Sequence, residues 1–92
     1  MNVGSVTKQE VDPMVDFREG IKLLRNEYPQ KALVRFMRAF ESDKYNAYYI
    51  SFLGLAIARA QRKWDQAADL CELAVQLKPA EIQFHLNLIS AC

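Results

Sequence analysis

The sequence predicts an all-α chain of paired antiparallel helices, and three observations carry that reading. Ile50, Leu53, Gly54 and Ile57 recur at helical spacing and share one helix face. Ala67, Cys71 and Ala74 mark the inner face of a second helix, and Pro79 stops it, because proline has no amide donor and its ring clashes with the preceding turn. The pattern also stands one repeat upstream. Gly20 lies 34 residues before Gly54, and Ala32, Phe36 and Ala39 lie 35 residues before Ala67, Cys71 and Ala74. Small residues at Gly54, Ala67 and Ala74 allow two helices to approach closely.

The elements follow in order. Residues 1–12 read as a disordered leader, since Met1 to Val11 has no apolar period and carries Gly4 and Ser5. Asp12 is the expected N-cap of the first helix and Pro13 its first residue. That helix runs to about Glu27, with Phe17, Ile21 and Leu24 in one apolar row and Gly20 and Leu23 in the next. Tyr28-Pro29 breaks it and opens a second helix to about Ser42, with Ala32, Phe36, Ala39 and Phe40 inward. Asn46 is the expected cap of a third helix, Ala47 to about Gln61. Asp65 is the expected cap of a fourth, ending near Lys78. Connections this short make neighbouring helices antiparallel. In the last segment Ile82, Phe84, Leu86 and Leu88 alternate as in a strand, but the repeat register predicts a helix from Ile82 to Cys92.

The period and the residues at Ile50, Leu53, Gly54, Ile57, Ala67, Cys71 and Pro79 resemble the tetratricopeptide repeat. Gly20, Leu23, Ala32, Phe36 and Ala39 fit a second copy. Asp16, Glu19 and Lys44 replace the expected aromatic, Leu and Pro there. One extra residue falls between Gly54 and Ala67, expected in the inter-helix turn. The resemblance implies a short right-handed solenoid of about two and a half repeats. Repeat one would span 13–45, repeat two 46–79, and the first helix of a third repeat, or a cap, 80–92. It also implies a concave groove that binds a protein segment. The family's groove positions fall on Met14, Phe17 and Ile21, on Tyr48, Ser51 and Leu55, and on Leu86 and Ser90. Some members clamp a peptide's terminal carboxylate with Lys, Asn and Arg. The matching positions here are Phe17, Ile21, Phe52, Gln83 and Asn87, of which only Asn87 suits that role, so no such clamp is expected.

Composition narrows the function. Twelve Lys and Arg against eleven Asp and Glu leave a net charge of +1, so no global field draws the chain toward nucleic acid or acidic membranes. No apolar run is long enough to cross a bilayer, and the start of the chain does not read as a signal peptide. Cys71 and Cys92 lack disulfide or metal-ligand spacing, which points to reduced thiols and a cytoplasmic protein. His85 is the single histidine, and the register turns it inward with no Cys or carboxylate beside it. No phosphate loop, nucleophile elbow or metal-spaced cluster occurs. The expectation is a non-catalytic module without cofactor or metal, binding an apolar peptide or helix.

Two alternatives belong to other classes. Lys31, Arg35 and Arg38 share a face of the second helix, and Arg18, Lys22 and Arg25 share one of the first. Related helical-hairpin repeats read RNA. The plainer reading is a solvated surface, with the second-helix row facing an acidic row of Asp65, Asp69 and Glu72. The other alternative is self-association. The register points His85, Leu88 and Ile89 inward and leaves Phe84, Leu86 and Ala91 as an apolar patch at the end of the stack.

Overall fold

The computed structural model describes residues 12–91, so the expected leader up to residue 11 and Cys92 lie outside the described residues. Five helices follow one another: α1 Pro13–Arg25, α2 Pro29–Ser42, α3 Ala47–Gln61, α4 Trp64–Leu77 and α5 Ile82–Ala91. There is no strand among the described residues, and the alternating segment after Pro79 is helical. Each helix packs on the next, and α5 lies against both α3 and α4.

Local chemistry sets the helix ends. The Asp12 carboxylate accepts the Met14 amide at 2.9 Å, with Pro13 in the first turn. The Asn46 side chain accepts the amides of Tyr48 and Tyr49 at 2.9 and 3.2 Å. These caps satisfy amides that have no partner inside the helix. Asp65 is not a cap: α4 begins one residue earlier, at Trp64, behind Lys63, and Asp65 sits in its first turn. Helix α1 stops short of Glu27. That residue turns left-handed, at a φ of 67°, and the Tyr28 amide reaches back to the Leu23 carbonyl at 2.8 Å. This is the Schellman closure, usually built on glycine.

The extra residue between Gly54 and Ala67 is not in the turn. Only Arg62 and Lys63 separate α3 from α4, whereas Asn26, Glu27 and Tyr28 separate α1 from α2. Instead α3 runs further past its glycine, to Gln61, and a left-handed Arg62 ends it.

The two glycines do the same work in the two hairpins. A Cβ on Gly20 would lie 2.5 Å from the Phe36 ring, and one on Gly54 would lie 2.8 Å from Cys71 Sγ and 2.9 Å from the Ala67 carbonyl oxygen. Each glycine thus meets the equivalent inner residue of the following helix. Phe36 is fully buried and stacks with Phe17 and Phe52, ring centroids 5.8 Å away in each case, tying α1, α2 and α3 together. Helix α3 is buried on nearly every side, because α2, α4 and α5 surround it.

The departure at Asp16 has a structural answer. Its side chain is almost wholly buried, with the residue only 3 % exposed, and it accepts a hydrogen bond from Arg35 Nη1 at 3.0 Å, with Arg38 Nη1 at 3.8 Å. The basic row on α2 therefore turns toward α1, not toward Asp65, Asp69 and Glu72 on α4.

Helix α5 corrects the expected register. Phe84, Asn87 and Ala91 are buried, and Leu88 packs at the edge of the core. His85 is exposed, with Nε2 donating to the Pro79 carbonyl at 2.8 Å, and Ile89 is exposed as well. The 34-residue offset between Gly20 and Gly54 explains this. Carried once more from Ile50, Leu53 and Ile57, it lands on Phe84, Asn87 and Ala91. The patch of Phe84, Leu86 and Ala91 does not exist; the exposed apolar row is Ile82, Leu86 and Ile89.

Candidate functional site

Helices α1, α3 and α5 meet around an open cavity of about 300 Å³. Ile21, Leu24 and Arg25 of α1 line it, with Phe52 and Arg59 of α3 and Gln83 of α5. The apolar part is fixed from behind. Leu24 belongs to the core, and Phe52 stacks edge-on against Phe17 at 5.4 Å, so neither ring can swing away without opening the aromatic cluster. Gln83 is fixed by a polar chain running inward. Its amide donates to Asn87 Oδ1 at 2.9 Å, and the Asn87 amide donates to Ser51 Oγ at 2.9 Å. Ser51 also accepts, through its carbonyl oxygen, from Cys71 Sγ at 3.6 Å. Every buried side-chain nitrogen and oxygen among the described residues has a partner, so this chain is structural.

The expected groove residues separate into three groups. Ile21 lines the cavity, and Phe17 braces it from the aromatic cluster. Ser51 and Leu55 are corrections: both are buried, because α5 covers that face of α3 and Asn87 takes the Ser51 hydroxyl. Met14, Tyr48, Leu86 and Ser90 are exposed but do not line this cavity. Tyr48 is committed to α5. Its hydroxyl donates to Glu81 at 2.7 Å, and its ring meets Phe84 edge-on at 4.9 Å. The bond to Glu81 pushes the phenol pKa above its usual value, since ionising it would set two anions side by side.

Sequence reasoning missed Leu24, Arg25 and Arg59 as lining residues and treated Phe52 and Gln83 only as misfits to a clamp. A signal was available: Arg25 and Arg59 stand 34 residues apart, in register with the two glycines. Among the described residues no group of His, Cys, Asp and Glu could hold a metal ion, and no helix is long and apolar enough to cross a membrane. Comparison of the chain with protein-family models, with curated proteins and with solved structures returned no significant match.

Proposed function

We propose that the chain is a non-catalytic protein-interaction module of tetratricopeptide type, which holds a partner's peptide or helix in the groove formed by α1, α3 and α5. The observation that carries this reading is the cavity itself, an open, apolar-floored hollow whose walls come from the first helix of each successive hairpin and from α5. Three features support the repeat assignment. The Gly20–Phe36 and Gly54–Cys71 contacts are equivalent, α5 follows the same 34-residue offset, and the helix order matches stacked hairpins. A right-handed solenoid is the arrangement such hairpins adopt. Aromatic and aliphatic anchors on a rigid floor supply most of the energy when a segment docks in a groove.

The test starts from peptides selected on the intact chain from a random display library. Their binding should shift the NMR resonances of Ile21, Leu24, Phe52 and Gln83, and Ile21→Glu should abolish binding while leaving the fold unchanged by circular dichroism. Shifts confined to α2 and α4 would overturn the reading.

One observation favours a second reading, self-association. Ile82, Leu86 and Ile89 are 71 %, 50 % and 71 % exposed and lie one helical turn apart along α5. Light scattering over a concentration series, with Leu86→Glu as control, decides it; a chain that stays monomeric at high micromolar concentration rules it out. RNA binding loses support, because Arg35 and Arg38 are engaged by Asp16.

A further inference from the structure

The cavity is bordered by two cations, Arg25 and Arg59, that no ion pair among the described residues engages. The carboxylates of α1 are taken elsewhere: Asp16 by Arg35 and Arg38, and Glu19 by Lys22 at 3.7 Å. Glu27 shares an adjoining hollow with Arg59 but forms no ion pair with it. Each arginine stands in the last turn of its helix, where the negative end of the macrodipole favours a cation. That accounts for a positive charge at each helix end. It does not account for both side chains bordering the same apolar hollow, at repeat-equivalent positions on neighbouring helices.

Resting on the groove reading above, we propose that the partner is an acidic–apolar segment: a peptide that sets a Leu, Ile, Phe or Met side chain on Ile21, Leu24 and Phe52 and an adjacent Asp or Glu carboxylate between Arg25 and Arg59. The charge complementarity follows from guanidinium chemistry. A planar guanidinium offers paired donors matched to a carboxylate, and it keeps its charge at every physiological pH. Gln83, held by Asn87, leaves an amide at the α5 side of the hollow to meet the segment's backbone. The volume suits one or two side chains, as it lies at the small end of the roughly 300–1,000 Å³ range of ligand pockets. A lysine-rich or purely apolar segment would leave the two arginines repelled or unpaired.

The experiment uses the display-selected peptides, each synthesised with capped ends so that no terminal carboxylate contributes. The groove-dependent peptides, those lost with Ile21→Glu, should carry an acid beside the apolar anchor. Replacing that acid by its amide should weaken binding about tenfold, and Arg25→Gln with Arg59→Gln should weaken the acidic peptide by a similar factor but not its amide counterpart. Both arginines are exposed, so the double variant should keep the parent's fold by circular dichroism, with at most a small fall in melting temperature from the two lost helix-end charges. Groove-dependent peptides without acids, or acidic ones that bind the double variant unchanged, would overturn the charge assignment and leave the groove reading standing. Peptides indifferent to Ile21→Glu, or no enriched peptide at all, would overturn both.

Discussion

Removing Arg35 should destabilise the chain more than removing the charge of Asp16, and changing the two together should restore stability. The carboxylate is the buried partner, with its side chain 4 % exposed, whereas the Arg35 side chain is 37 % exposed. At 3.0 Å and an effective dielectric of about 20, the gross attraction is about 5 kcal/mol, most of which desolvation of Asp16 offsets. Arg35→Leu strands a buried carboxylate with only Arg38 at 3.8 Å for company, which costs about 2–3 kcal/mol. Asp16→Ile leaves guanidiniums that water can reach, at a cost of about 1 kcal/mol.

The second hairpin provides the template for the repair. Ile50 is the residue equivalent to Asp16, and Leu70 and Leu73 are equivalent to Arg35 and Arg38. Ile50 is buried there in an apolar cluster. Asp16→Ile with Arg35→Leu therefore rebuilds in the first hairpin a packing the chain already uses, and should be at least as stable as the parent. Urea unfolding followed by far-ultraviolet circular dichroism measures all four corners of the cycle, provided the slope against urea stays constant. The expected coupling is about 2–4 kcal/mol. A double variant that loses the sum of the two single losses would refute the reasoning, since it would mean that the site needs the charges themselves.

Three further predictions follow from the packing. Gly54→Ala should lose about 1–3 kcal/mol although alanine is the better helix former, because the new methyl meets Cys71 Sγ and the immovable Ala67 carbonyl; an unchanged melting temperature would contradict the glycine contact. Adding Cys71→Ala should recover only part of that loss, because the carbonyl remains. Glu27→Gly should stabilise by about 1 kcal/mol, read as a rise of about 4–8 °C in melting temperature, because glycine accepts the left-handed backbone at φ 67° without strain. Cys71 should resist thiol reagents in the native chain and react only as it unfolds, while Cys71→Ser should lower stability by about 1–3 kcal/mol; rapid native labelling of Cys71 would contradict its full burial.

What could be read from the sequence was local or periodic. Asp12, Pro13 and Asn46 act within a few residues of themselves, so their residue types alone announced the helix starts. Gly20 and Gly54 announced the close crossings because the same demand is made twice. Asp16 was opaque because its compensation lies on another helix, 19 residues away, and nothing in the pattern distinguishes a buried carboxylate with an arginine from an exposed one. The inner face of α5 was legible in principle. Its error lay in how the register was carried: it turned His85, Leu88 and Ile89 inward and left Asn87 at a groove position, whereas the 34-residue offset from Ile50, Leu53 and Ile57 assigns Phe84, Asn87 and Ala91 to the core. A buried asparagine is tolerated there only because Ser51 and Gln83 satisfy its amide, and Ser51 was itself assigned to the groove. The two misassignments are thus one. Each polar residue looked like a surface residue while considered alone, and the pair is stable inside because each supplies the other's hydrogen bond.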